Sequence, residues 1–445
     1  MYRFPDHLFT DVRIESVYST QILLENLELK QNKTKTDTGA MIRIYDGNRW
    51  YYHATTEIDR IQDAIDQLAA MATESPDIRQ NPVVGWLEVH TGRHFSFADK
   101  RVSDVSNQNK IDLAKSYVPI VRQAEAVQKS RIYYLDKYTT KHILSSKGAD
   151  VSFDSQSCSL SVRYTLQGSR SPFNGGEDVY ETDFALLAEG KERIEAALAR
   201  DLDYCRRAEP VVPGVYTCVL SPVVTGVFAH ESFGHKSEAD FMVGDETMIK
   251  EWAIGKRVGA PVLNIIDTGT LPGAGYVPFD DEGCKARVNN IIKDGILTGR
   301  LHSSYTAAIL GEQPTGNARA TSFEFEPIVR MTTTYIGAGQ DTFASLLAPI
   351  EEGIYIDDLY HGSGMSTFTI APKRAYMIRN GQLAEPVLVS VITGNVMKTL
   401  EEIDGASDEV QLFSFAMGGC GKMEQYPLPV GFGGPYIRAH GMRVQ

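Results

Sequence analysis

Residues 230 to 235 read His-Glu-Ser-Phe-Gly-His, two imidazoles five positions apart with a carboxylate beside the first. Two neutral imidazoles can hold a zinc ion, and an adjacent carboxylate can take a proton from water on that ion. The familiar zinc-protease helix spaces its histidines at i and i+4, on one face. Here five steps of about 100° turn His235 roughly 140° away from His230 on a regular helix. One shared ion therefore requires a helix that is locally widened or broken. A π-type turn closes i to i+5 and brings the two rings nearly into line; such bulges occur often at functional sites. Gly234 lowers the cost of irregular backbone just before the second histidine. The plainer alternative is two unrelated helix histidines.

The flanking sequence fixes where this stretch sits. Val215 to Leu220 reads as a strand, and Ser221-Pro222 supplies an N-cap followed by proline at the first helical position. The helix so begun runs through Val223, Val227 and Phe228 into His230. Beyond it the chain is mostly β. Val262 to Ile266, Ile296 to His302, Ile328 to Tyr335, Phe368 to Ile378 and Val387 to Ile392 are expected strands, and Asn380-Gly381 is a hairpin turn.

The first half mixes signals. Asp11 to Leu29 alternates only in short pieces, whereas Ala40 to His53 places two β-rich runs around Asp46-Gly47. Thr56 to Met71 carries apolar residues at helical spacing, and Lys110 to Lys129 reads as a second amphipathic helix. Tyr133 to Leu166 has strand texture, Gly168 to Asp178 reads as a loop, and Asp183 to Arg206 as a long helix ending before Pro210 and Pro213. The expected class is α+β. Residues 1–208 form a mixed α/β domain, and residues 209–445 a mostly antiparallel, barrel-like β domain that carries the histidine helix.

A length of 445 residues allows two or three domains. The net charge of −13 disfavours nonspecific affinity for nucleic acid or anionic membrane. Five cysteines, widely spaced and odd in number, do not form a disulfide framework and fit a reducing compartment. The start MYRFPDHLFT lacks the features of a signal peptide, and no apolar stretch approaches the ~20 residues of a membrane span. The expected location is cytoplasmic.

A catalytic zinc usually has three protein ligands and one open position. Candidates for the third are Glu238, Asp240 and Cys420, the last set in the glycine-rich run Gly418-Gly-Cys-Gly421. Thiolate is a strong zinc ligand, but a cysteine in a tight turn is more often simply buried. Spacing alone puts the carboxylates ahead of Cys420.

HESFGHKSEADF resembles the His-Glu-Ala-Val-Gly-His-Gly-Leu-Glu-Gly-Asp-Phe signature of the TldD/PmbA family, the TldD-like zinc metalloprotease branch in particular. Further landmarks follow in the family's order: Asp280-Asp-Glu-Gly283; Pro314-Thr-Gly-Asn317 with Arg319; Arg330-Met-Thr-Thr-Thr-Tyr335; Gly419-Cys-Gly-Lys422 with Gln425 and Pro429-Val-Gly431. The chain departs at Lys236 and Ser237, where the signature has Gly and Leu, and it stops at Gln445, short of the family's usual closing strand. By position, the resemblance implies His230, His235 and Cys420 as zinc ligands and Glu231 as the catalytic base. Glu238 and Asp240 then hold the imidazoles or are plain solvated acids, and Arg319, His302 and His361 are candidates for stabilising an oxyanion. The implied activity is zinc-dependent hydrolysis of short or unfolded peptides. The alternative is a non-catalytic, zinc-stabilised subunit or peptide-binding protein of such a complex. The implied assembly is a homodimer, or a heterodimer with a PmbA-like subunit.

Overall fold

The computed structural model describes residues 2–168 and 170–445. The first half is built on two very long antiparallel strand pairs. Phe9–Glu25 runs back as Glu28–Tyr45, and Val127–Ser145 as Asp150–Gln167. They join edge to edge through Phe9–Glu25 and Val127–Ser145, and Trp50–Thr55, Thr91–His94 and Pro172–Glu181 complete a seven-stranded sheet. The turn between Tyr45 and Trp50 falls at Asp46-Gly47 as expected, with the Asp46 carboxylate accepting from the backbone of Asn48 and Arg49 (both 2.9 Å).

One sheet serves two cores. Near one end, Val12, Ala40, Ile42 and Ile44 pack on Ile61, Ile65 and Leu68 of the helix Ile61–Met71. At the other, Ile22, Leu24, Ile132, Tyr134 and Leu160 meet Tyr117, Val121, Ile194 and Leu198. Between them the Glu28–Tyr45 strand is exposed over most of residues 28–38. A strand shared by two cores and a polar arm cannot alternate cleanly, which is why Asp11 to Leu29 reads as fragments.

Three expected elements are corrected. Lys110 to Lys129 is two short helices, Asn107–Ser116 and Val118–Arg122, followed by strand from Val127. Pro119 opens the second helix, and Lys110 is fully buried in an ion pair with Asp136 (2.6 Å). Within Gly168 to Asp178, of which Ser169 lies outside the described residues, the strand Pro172–Glu181 begins. Gly175 is there for packing, since a Cβ would stand 2.2 Å from the Tyr164 ring. Ile296 to His302 is a strand only at Ile296–Leu297, with an isolated bridge from Leu301 to Glu238, and between them Arg300 turns in to the carbonyl of Trp252 (2.6 Å).

The second half contains a closed five-stranded barrel. Gly214–Leu220 pairs in parallel with Glu352–Gly364 on one side and antiparallel with Ile437–Val444 on the other. Ile437–Val444 pairs with Ile392–Asn395, that strand with Thr367–Arg379, and Thr367–Arg379 closes the ring on Glu352–Gly364. The turn at Asn380-Gly381 has positive φ at both residues (50° and 78°), as a tight hairpin requires. A second sheet, which includes Ile265–Thr268, Thr333–Ile336 and Gly431–Gly434, packs beside the barrel over one large apolar core. The helix Pro222–Ala229 lies between the two, buried along its length.

The halves meet at an acidic turn. Asp281 pairs with Arg13 (3.5 Å) and Lys141 (2.5 Å), and Glu282 with Arg43 (3.2 Å), which also holds Asp11 (2.6 Å). Asp280 faces inward and accepts from the backbone of Glu282, Cys284 and Ala318. Burial opposes ionisation of Asp281, but Arg13 and Lys141 outweigh it and hold its carboxyl at about 2. An unfolded aspartate titrates near ~3.9. The folded value is the lower one, so this stabilisation is complete above about pH 4 and is lost as the pH falls toward 2. Asp281→Asn leaves two cations short of a partner and should cost about 3–5 kcal/mol of unfolding free energy at neutral pH. Urea titrations should show the gap to wild type narrowing below about pH 4; a gap independent of pH contradicts this account.

Candidate metal centre

The barrel strand Gly214–Leu220 delivers the chain to Ser221, whose side chain caps the helix, and Pro222 starts the first turn. At His230 the helix widens. The backbone N–H of His235 donates to the carbonyl of His230, an i to i+5 bond, and His230–Gly234 forms a π-helical turn. The extra residue cancels the angular drift: the two imidazole rings lie 5.1 Å apart, their planes at 81°. Gly234 is needed for a different reason from the expected one. Its backbone is ordinary right-handed helix (φ −52°), but a Cβ would stand 1.8 Å from the sulfur of Met331.

Cys420 opens the hairpin Cys420–Lys422/Gln425–Leu428. Gly418 (φ +87°) and Gly419 (φ +152°) precede it in conformations that side chains resist, and a Cβ on Gly419 would meet the Leu428 carbonyl at 2.4 Å. This turn carries the thiol to 3.6 Å from His235 Nε2. One donor atom each from His230, His235 and Cys420 lies within 4.8 Å of the others, and no other such group of three occurs among the described residues. The structure thus brings together the two histidines and the cysteine, not the carboxylates that spacing favoured.

The set suits a borderline-soft ion. Two imidazoles and a thiolate are a zinc-type donor set. Burial opposes the Cys420 thiolate, yet the His230 charge and hydrogen bonds with both histidines hold the thiol down at about 5. His230 Nδ1 is buried with no hydrogen-bond partner among the described residues. These observations fit a metal held by all three side chains.

The remaining candidates divide. Glu231 is half-buried against the glycines of the strand Glu352–Gly364; a Cβ on Gly362 would stand 3.6 Å from its Cγ. Burial pushes its carboxyl up, while His230 and His235 pull it back. Glu238 is fully buried, and its Oε2 lies 3.1 Å from His235 Nδ1, the nitrogen facing away from Cys420. Asp240 pairs with Lys422 (2.6 Å). Arg319 is occupied by the carbonyls of Met331 and Pro429, and His302 by Thr306 (3.1 Å) and Glu312 (3.0 Å). His361 is exposed on the strand Glu352–Gly364.

Two residues without an assigned role in the sequence are part of the centre. Arg330, wholly buried, donates to the carbonyls of Cys420 (2.8 Å) and Gln425 (3.3 Å). Lys422 reaches Glu238 (3.2 Å), Asp240 and the Val329 carbonyl (2.8 Å). A signal for Lys422 was present: two residues along a strand from Cys420, it shares that residue's face.

Three segments of the chain match models of one family. Residues 10–72 match PmbA/TldA metallopeptidase domain 1, 100–208 the central domain, and 213–445 the C-terminal domain, which alone covers more than half of the chain. The protein belongs to the PmbA/TldD metallopeptidase family. A metalloprotease of Synechocystis sp. is 33% identical over 98% of this chain and 94% of its own length. The zinc metalloprotease TldD homolog of Saccharolobus solfataricus is 29% identical over 98% and 96%. The crystal structure of TldE from Thermococcus kodakarensis matches with a TM-score of 0.76 at 17% identity, covering 98% of this chain and 96% of that one, and so shares the fold.

Replacing a thiolate by a neutral hydroxyl removes the charged donor of this PmbA/TldD site. Offered zinc, Cys420→Ser should therefore retain far less of it than wild type by elemental analysis while keeping a wild-type far-UV spectrum. Stoichiometric zinc at native affinity would move the third ligand elsewhere, with Glu238 the first suspect.

Proposed function

We propose that this protein is a zinc-dependent peptidase that uses water to hydrolyse short or unfolded polypeptides. The observation that carries the reading is the π-turn that aligns His230 and His235 opposite Cys420 with Glu231 beside them. Relatives named metalloprotease and zinc metalloprotease support the class and the metal. When bound, zinc would supply Lewis acidity to a peptide carbonyl and to water.

The protein's own groups supply the rest. His230, His235 and Cys420 would hold the ion. Glu231 takes the proton of the attacking water on its carboxylate and returns it to the leaving nitrogen as the C–N bond breaks. Its half-buried position suits a base whose affinity for protons exceeds that of a free glutamate. Glu238 fixes the His235 ring from the outside. That place, on Nδ1, argues against Glu238 as a fourth ligand of a closed structural site, the arrangement a non-catalytic subunit would have.

Metal analysis coupled to peptide cleavage tests this. Glu231→Gln should fold and keep its zinc, with hydrolysis reduced about 10²–10⁴-fold. Full activity in a zinc-loaded Glu231→Gln protein would sink the assignment.

The substrate reading rests on the surroundings. A cleft of about 800 Å³ separates the N-terminal sheet from the loops near Ala320–Glu324 and Leu428–Pro429, and Leu428 is the strand partner of Cys420. Glycine-rich backbone beside the thiol can pair with an extended chain through main-chain hydrogen bonds, which ignore side-chain identity. We also place the protein in the cytoplasm as a dimer, with itself or with a PmbA-like subunit. Among the described residues no helix is long and apolar enough to cross a membrane, and all five cysteines are buried. A dimeric chamber admits only thin, unfolded strands. Light scattering at micromolar concentration should give a dimer mass. Mass spectrometry should show one polypeptide cut faster unfolded than folded. A monomer cutting both forms equally would remove the case for a chamber.

A further inference from the structure

The contacts behind the metal centre close into a ring. Cys420 Sγ lies 3.6 Å from His235 Nε2, His235 Nδ1 3.1 Å from Glu238 Oε2, and Glu238 Oε2 3.2 Å from Lys422 Nζ. Two residues of strand return the path from Lys422 to Cys420. The Lys422 side chain is 2% exposed and that of Glu238 0%, so neither charge is balanced by water. Besides Glu238, the ammonium meets both oxygens of Asp240 (2.6 and 2.8 Å) and the Val329 carbonyl (2.8 Å).

We infer that Lys422 is a positioning residue for the metal centre, acting through Glu238 on His235. An ammonium only donates and an ionised carboxylate only accepts. With Lys422 donating to it, Glu238 can receive only the Nδ1 proton of His235, in the neutral and in the charged ring alike. Nε2 is then the nitrogen turned to Cys420 and to an ion. The same ammonium ties the thiol-bearing strand to the histidine segment, so one side chain sets both the ring and the distance across it. Groups in this position behind a ligating histidine typically change metal affinity by about 10–100-fold. The inference rests on reading the cluster as a metal centre, but the Nδ1 proton is a property of the protein without metal.

The test uses Lys422→Met, Glu238→Gln and the double variant of the full chain. Cobalt(II), a spectroscopic stand-in for zinc, is titrated through its thiolate absorption. Metal-free protein labelled at histidine is followed by 1H–15N spectra, with His235→Gln assigning the ring. Wild type should show a slowly exchanging His235 Nδ1–H. Lys422→Met should lose it and bind cobalt about 10–100-fold more weakly. Because Lys422 acts through Glu238, the double variant should be no weaker than Glu238→Gln alone. A retained Nδ1–H with unchanged cobalt affinity in Lys422→Met, or fully additive losses in the double variant, would overturn the inference. Should Lys422→Met not fold, Glu238→Leu decides, since it removes the acceptor on Nδ1 and an unchanged Nδ1–H there overturns the inference equally. If wild type binds no cobalt, the metal reading fails while the Nδ1 proton still decides the role of Lys422.

Discussion

One backbone hydrogen bond, from His235 N–H to the His230 carbonyl, determines what this site can be. With an i to i+4 bond the second imidazole turns away by more than a right angle, and no arrangement of the hairpin near residue 420 recovers a common centre. A π-turn is less stable than regular helix and needs support from its surroundings. Here the support is close packing. Gly226 lets the helix approach the backbone of Gly433, where a Cβ would stand 2.4 Å from its nitrogen, and Gly234 admits Met331. The helix is pinned ahead of the bulge at Gly226 and at the bulge's last residue, Gly234.

That dependence explains what was legible in the sequence. The i+5 spacing demanded a widened helix, and Ser221-Pro222 located its start, because caps and periodicity are local. Cys420 was not legible from spacing. It reaches His235 across 185 residues, and only the pairing of Gly431–Gly434 with Thr333–Ile336 places its hairpin. Resemblance supplied what local physics could not. The errors share a cause. Gly175 and Gly176 read as loop because glycine marks turns, whereas here Gly175 lets a strand approach Tyr164 and Asp201, and Gly176 the Val162 carbonyl. Lys110 to Lys129 read as one amphipathic helix because the ion pair that buries Lys110 is made with Asp136, on a strand the periodicity could not assign to it.

The charges around the centre are arranged to be neither free nor neutral. Cys420 is held toward thiolate by the two histidines, and Arg330 fixes its backbone from behind. Glu238 and Asp240 share one ammonium. Glu238, Asp240 and Lys422 each have an opposite charge within hydrogen-bonding reach, the condition under which ionised groups persist away from water, whereas among the described residues Arg330 is held by carbonyls alone. Glu231 stands apart, its carboxylate open enough to exchange a proton.

The separation between His235 and Cys420 also has a consequence for synthesis. A chain emerging from the ribosome presents both imidazoles long before the thiol. Two imidazoles bind an ion far more weakly than a complete set, and the thiol is placed by a separate two-stranded hairpin close to the end of the chain. The three-donor cluster is therefore among the last features of the C-terminal half to be completed. A chain interrupted before residue 420 lacks the third donor of the cluster, so the donor set is complete only with the architecture that surrounds it.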